Sequence, residues 1–184
     1  MVDWKDDGEQ TATGEPITKI AKRFSGYEGL DFIYKALQWL KENLEFDKKE
    51  KENIFRKRKS SEILKDGFVT GCTDYVLAYI PLARYNGIPT KYVEALDRHW
   101  LKNLDRKGEI SRIRGHVVAR SKINDEWLIV DVDGGNIDLN INSEDRRSSS
   151  YFHRRFEIIG EGKDSWDLGI RSLEDLKEYI KNLG

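Results

Sequence analysis

The segment 71–96 constrains the fold of this chain more than any other part of its sequence. An apolar, helix-like run begins at Cys72, directly after Gly71, and Gly87 is typical of the residue that ends a helix before the strand-like segment 88–96. The N-terminal amides and the macrodipole of a helix favour negative charge, which makes a thiolate easier to form there. The only cysteine of the chain therefore lies where a nucleophile is favoured.

Two strand-like segments downstream carry a histidine and an aspartate. His116 begins the first segment, Asp131 lies near the end of the second, and Asn124-Asp125 is a favourable turn pair between them. A two-residue turn sets His116 opposite Asp133, whereas a four-residue loop sets it opposite Asp131. Side chains alternate between the two faces of a strand, so His116 and both aspartates share one face in either register. Strand alternation alone leaves both aspartates as candidate partners of the histidine.

The spacing of apolar residues predicts the other elements. The predicted helices cover 28–44, 61–67, 72–86 and 172–183, and the predicted strands cover 88–96, 116–123, 126–132 and 151–160. A chain of 184 residues suits one domain with a sizeable core. We predict a flexible N-terminal arm over residues 1–16, which show little periodicity, and a single domain over residues 17–184.

Composition favours a cytoplasmic protein that binds neither membranes nor nucleic acid. The formal net charge is −1, which gives no overall attraction to a polyanion or a membrane surface. No apolar run resembles a signal peptide or reaches the roughly 20 residues needed to span a bilayer. A single cysteine excludes an intramolecular disulfide and fits a reducing compartment. The sequence has no metal-ligand cluster and no nucleotide-binding motif, so we predict no cofactor.

Two charged clusters have two interpretations each. The run 47–59 and a second, basic cluster can each be a solvated face, or they can bind an anionic partner such as a nucleic acid. The second cluster consists of Arg146, Arg147, His153, Arg154 and Arg155. We expect both to be solvated faces, and the near-neutral net charge argues against nucleic-acid binding.

Three blocks of the sequence together resemble the transglutaminase-like superfamily. The first block, at 71–95, reads GCTDYVLAYIPLARYNGIPTKYVEA and has the Gly-Cys start, the Leu-x-Arg helix end and the Gly-Ile-Pro of that family. The second block, GHVVAR at 115–120, resembles its histidine strand. The third, EWLIVD at 126–131, resembles its Trp-x-x-x-Asp block. The resemblance covers about residues 60–135.

The resemblance implies a fold, a reaction and a role for each site residue. The fold is the papain-like α+β core of the transglutaminases, in which the nucleophile helix packs on an antiparallel sheet with flanking helices. Cys72 is then the nucleophile, His116 the general base, and Asp131 the acid that orients the imidazole, because the tryptophan offset matches Asp131 rather than Asp133. Such a triad forms an acyl-enzyme from a peptide or protein amide, and hydrolysis by a protease or amidase is at least as well supported as transamidation.

The chain also departs from the family pattern at three places, and one of them is Pro81, which is unusual in the cysteine helix. Asp131 is followed by Val132-Asp133 instead of proline, serine or threonine, and His116 is followed by Val117 instead of the common Ala-Trp pair. These departures concern the substrate class more than the triad. The alternative function is a non-catalytic binding module that keeps the transglutaminase-like fold.

Overall fold

A central antiparallel sheet packs against a buried helix in this computed structural model. The structure describes residues 2–48, 51–105, 108–138 and 151–183, with the backbone alone for 51–52 and 136–138. The helices are α1 (Ile17–Ala21), α2 (Gly29–Asn43), α3 (Lys51–Ile54), α4 (Ser60–Asp66), α5 (Cys72–Tyr85), α6 (Arg98–Lys102), α7 (Tyr151–Arg155) and α8 (Leu173–Lys181). The strands are β1 (Glu45–Phe46), β2 (Phe68–Val69), β3 (Thr90–Asp97), β4 (Gly115–Ile123), β5 (Glu126–Asp131), β6 (Asn136–Asp138) and β7 (Phe156–Gly162).

The sheet has the strand order β6-β5-β4-β3-β7, and every neighbouring pair is antiparallel. Strands β1 and β2 form a separate parallel pair. Helices α1, α2 and α4 contact α5 from one side, while β3 and β4 contact it from the other. This arrangement confirms the predicted α+β fold, with the cysteine helix on an antiparallel sheet.

Helix α5 is the buried centre of the fold. Every residue from Thr73 to Arg84 is buried, as expected of a helix that is largely apolar on all sides. The helix ends at Tyr85, and Gly87 follows with φ 80°, a conformation that favours glycine. Within the described ranges, neither α5 nor any other helix is long and apolar enough to cross a membrane.

The β4–β5 hairpin decides between the two registers left open above. Asn124 and Asp125 both have positive φ values, 49° and 66°, as a two-residue type I′ turn requires. Ile123 pairs with Glu126, so the two-residue turn is the one that forms. Asp131 is therefore diagonal to His116 on the sheet rather than directly opposite it.

Other predicted elements are confirmed, with two exceptions. The predicted helices at 28–44, 61–67 and 172–183 correspond to α2, α4 and α8, and Ser172 caps α8 by accepting from the Asp175 N–H. The predicted strand at 151–160 is instead α7 followed by β7. Phe152 and Phe156 lie four residues apart and pack with ring centroids 5.3 Å apart, a spacing that suits a helical turn as well as a strand.

The segment 1–16, predicted as a flexible arm, packs against the rest of the protein at Gln10 and Thr11. Both residues are fully buried. Their backbone N–H groups donate to the Asp164 carboxylate at 2.8 and 3.2 Å, and the Thr11 hydroxyl accepts from the Arg84 guanidinium at 2.9 Å. This part of the segment differs from the predicted loose arm. It lacks periodicity, but hydrogen bonds to residues more than 70 positions away in the sequence hold it in place.

Candidate active site

The structure brings together all three residues of the predicted triad. Cys72 is the first residue of α5, His116 lies near the start of β4, and Asp131 ends β5. The imidazole Nε2 of His116 lies 3.0 Å from Asp131 Oδ1, and the Cys72 thiol lies close enough to the imidazole to affect its pKa. Three elements that are distant in sequence therefore place a thiol, an imidazole and a carboxylate in one chain of contacts.

Asp131, and not Asp133, is the carboxylate that contacts the histidine. Diagonal neighbours on one sheet face lie within reach of long or aromatic side chains, which explains how the imidazole reaches Asp131. The Asp131 carboxylate also accepts from the Gly134 N–H at 3.0 Å, which fixes its orientation from the turn after β5. Sequence alternation could not make this choice, because it depends on the side-chain rotamer as well as on the register.

The electrostatics of the site favour a charged imidazole. Burial lowers the pKa of His116, but the hydrogen bonds to Asp131 and Cys72 outweigh it and raise the pKa to about 10. Burial raises the pKa of Asp131, and the contact with His116 more than reverses this, so the pKa falls below its usual value. The Asp131 part of the stability that this pair gives to folding is lost as the pH falls below 3.8. The His116 part is complete below pH 6.5 and is lost as the pH rises through about 10.

Asp74 fixes the turn that precedes Cys72. Its carboxylate accepts from the backbone N–H and the hydroxyl of Thr70, both at 2.9 Å, and from the Arg58 guanidinium at 2.6 Å. Asp74 is 2% exposed, so Arg58 supplies the cation that a buried carboxylate needs. These contacts tie the turn before Cys72 to the first turn of α5.

A second buried arginine, Arg56, lies within electrostatic reach of Cys72. Arg56 donates to the Tyr92 hydroxyl at 2.7 Å and to the Glu94 carboxylate at 2.7 to 2.8 Å, and Tyr92 donates to Glu94 at 2.9 Å. The charge of Cys72 acts on both Arg56 and Tyr92, which places the network within electrostatic reach of the thiol.

Sequence analysis missed both arginines. The run 47–59 was interpreted as a solvated face, yet Arg56 and Arg58 are buried and ion-paired. Glu94 carried the available signal, because it has the same strand parity as the buried residues Tyr92 and Leu96. An acidic residue at such a position needs a buried cation as its partner.

A groove of about 630 Å³ opens beside the imidazole. It is lined by Asp97, Arg112, Ile113, Arg114, Gly115, His116, Asp131, Asp133, Gly134, Tyr151, Arg155 and Phe156. Arg146 and Arg147 of the predicted basic cluster lie outside the described residues. Among the residues that are described, no three His, Cys, Asp or Glu side chains are grouped to hold a metal ion.

The comparisons with known proteins agree with this geometry. A solved structure, that of a candidate cysteine protease from Cytophaga hutchinsonii, superposes with a TM-score of 0.62 at 15% sequence identity. The match covers 91% of this chain and 48% of that protein, so this chain spans about half the length of that structure. No curated protein matches the sequence. The family model of the transglutaminase-like superfamily matches residues 18–132, and these residues include Cys72, His116 and Asp131. With the helix of Cys72 packed on an antiparallel sheet, this chain belongs to the transglutaminase-like superfamily.

Proposed function

We propose that this protein is a cysteine-dependent acyl-transfer enzyme that acts on amide bonds of peptides or proteins. One observation carries the proposal: the imidazole of His116 is hydrogen-bonded to the Asp131 carboxylate and lies within electrostatic reach of the Cys72 thiol. Membership of the transglutaminase-like superfamily supports it, because cysteine proteases and acyltransferases are typical of that family. Cys72 is the nucleophile, His116 the base, and Asp131 the residue that positions the imidazole.

The proposed reaction has two steps. In the first, the thiol proton resides on His116, Cys72 Sγ attacks the amide carbonyl, and the C–N bond breaks as the imidazolium protonates the departing amine. This leaves an acyl-thioester on Cys72. In the second step, His116 takes a proton from the incoming nucleophile, which attacks the thioester carbonyl. The C–S bond then breaks, which frees the acyl product and regenerates the Cys72 thiolate. Asp131 holds the imidazole and stabilises its charge in both steps.

The oxyanion of each tetrahedral intermediate needs a donor. The backbone N–H of Cys72 is the first in α5 and has no acceptor within the helix, as is general for the first turn. This N–H belongs to the same residue as the attacking thiol, so it supplies one hydrogen bond to the negative charge that develops on the carbonyl oxygen.

Either water or an amine can resolve the acyl-enzyme. Water gives hydrolysis, the reaction of a protease or amidase, and a primary amine gives transamidation. We propose hydrolysis as the first activity to measure, because water is present at any open groove and an amine acceptor needs a binding site of its own.

The proposed steps need only side chains of this chain, so we propose no cofactor. A reduced thiol is required throughout, and Cys72 is free. The need for a reduced thiol supports the predicted cytoplasmic location, because thiols stay reduced there.

We expect Cys72→Ala to lower hydrolysis of a fluorogenic peptide pool by more than about 10³-fold, since removing a triad nucleophile removes the covalent step. Mass spectrometry of the wild type, quenched in acid during turnover, is expected to show an acyl adduct on Cys72. A parallel reaction with a labelled primary amine separates transamidation from hydrolysis.

The Cys72→Ser variant is the matched control, since it keeps the size of the side chain and lacks the thiolate. Full activity in Cys72→Ala would overturn the proposal. A wild-type protein that forms no adduct and cleaves no peptide would also overturn it and would favour the non-catalytic binding module.

A further inference from the structure

The charged side chains of the groove beside His116 differ in whether they contact other described residues. The Asp97 carboxylate accepts from the Trp100 N–H at 3.0 Å and lies 3.6 Å from the Arg155 guanidinium. Arg155 also donates to the Tyr151 hydroxyl at 2.7 Å. Asp131 is engaged by His116, as described above. These charges are therefore committed to contacts within the protein.

Arg112 and Arg114 are the two groove cations that no described residue pairs with. Both side chains are exposed. Ile113, between them, packs instead into an apolar cluster with Leu96 and Ile110. Neither arginine belongs to that cluster, and both remain exposed beside it.

The backbone that carries the two arginines is held in place. The carbonyl oxygen of Arg114 accepts from the Asp97 N–H at 2.9 Å, which attaches the segment to the end of β3. His116 follows Arg114 by two residues, at the start of β4. The cations are thus fixed at the histidine end of the groove.

The groove also carries negative charge, from Asp97, Asp131 and Asp133. The charge of Asp133, together with burial, raises the pKa of Tyr75, which places this carboxylate near the first turn of α5. A long polyanion bound along the groove would contact the like-charged Asp133 as well as Arg112 and Arg114. A single carboxylate is small enough to bind the two arginines without spanning the groove.

We propose that Arg112 and Arg114 form a subsite for a carboxylate of the peptide substrate, close to the bond that is cleaved. The planar fork of a guanidinium matches the two oxygens of a carboxylate, and neither arginine has a partner among the described residues to release first. This inference rests on the proposed function, because it names the substrate class of the same site. The carboxylate can come from an acidic side chain or from the C-terminus of the peptide.

Three thiol-reactive labels test the subsite without a known substrate. They are bromoacetyl-glutamine amide, which is neutral, bromoacetyl-glutamate amide, which has a side-chain carboxylate, and bromoacetyl-glutamine, which has a terminal carboxylate. In each case Cys72 Sγ forms a bond to the label carbon, the C–Br bond breaks, and bromide leaves. The measurement is the second-order labelling rate at low and at high salt.

At low salt we expect one of the two anionic labels to react about fivefold or more faster with the wild type than the neutral label, as two solvent-exposed ion pairs allow. The faster label identifies the source of the carboxylate. The preference should fade at about 1 M salt, where the screening length is about 3 Å. In the Arg112→Gln/Arg114→Gln variant the preference should disappear while the neutral label keeps its rate.

The control variant Arg23→Gln/Arg154→Gln removes two exposed cations that do not line the groove. It is expected to keep the preference. Equal rates for all three labels in the wild type, or a preference that survives in Arg112→Gln/Arg114→Gln, would overturn the subsite. Rapid neutral labelling in the same samples would leave the proposed function standing, so the two failures are distinguishable.

Discussion

Replacing Asp131 by asparagine is expected to lower kcat/KM for peptide hydrolysis by about 10³- to 10⁴-fold, the loss that the same change causes in serine-protease triads. The carboxylate raises the pKa of His116 through the 3.0 Å hydrogen bond. Asparagine keeps the shape of this side chain, but it cannot stabilise the imidazolium, and its amide can donate to the ring and fix the wrong tautomer. The imidazole then holds the thiol proton less well.

Asp133→Asn is the matched control, because Asp133 also lines the groove and has the same strand parity. We expect Asp133→Asn to retain activity within about tenfold, since the charge it removes does not contact the imidazole. Steady-state kinetics on one peptide substrate, with circular dichroism to check folding, make the comparison. Equal losses in the two variants would contradict the assignment of Asp131 as the positioning residue.

Replacing Arg56 by methionine is expected to destabilise the protein by about 3–5 kcal/mol, because the change leaves Glu94 as an uncompensated buried charge. Arg56 and Glu94 are 1% and 2% exposed, and the ion pair also includes the Tyr92 hydroxyl. Urea unfolding measures the effect as a lower midpoint at an unchanged slope.

The exposed ion pair between Glu174 and Lys177 provides the comparison for this prediction. Glu174 is 78% exposed, so Glu174→Gln is expected to cost less than about 1 kcal/mol. The double variant Arg56→Met/Glu94→Met should recover much of the stability lost by Arg56→Met, because it removes both buried charges. A loss below about 1 kcal/mol in Arg56→Met would show that this buried pair is not needed for stability.

Local patterns were enough to predict the elements that position the triad. Helix α5 begins at Cys72 and ends before Gly87, as the glycines on either side indicate. Strands β4 and β5 follow from apolar alternation, and Asn124-Asp125 supplies the positive φ values of their turn. These features depend on neighbours within a few residues, so they are readable in a single sequence.

Features that depend on distant partners were not predicted. Arg56 pairs with Glu94, 38 residues away, and Gln10 bonds to Asp164, 154 residues away. The charge of Arg56 gave no sign of its burial, because the run 47–59 is typical of a solvated helix face. Nothing in a single sequence shows which distant acid will neutralise a given arginine.

The rate of Cys72 alkylation by iodoacetamide, measured from pH 5.5 to 9.5 in the wild type and in His116→Ala, tests the central claim most directly. The imidazolium persists up to about pH 10 in the folded protein, so it can hold the thiolate throughout this range. We predict rapid alkylation at pH 6 in the wild type, with little change up to pH 9. In His116→Ala the rate should be far lower at pH 6 and rise about tenfold per pH unit, as for an ordinary thiol below its pKa of about 8.5. Identical profiles in the two proteins, both with the slow rise of an ordinary thiol, would contradict the account.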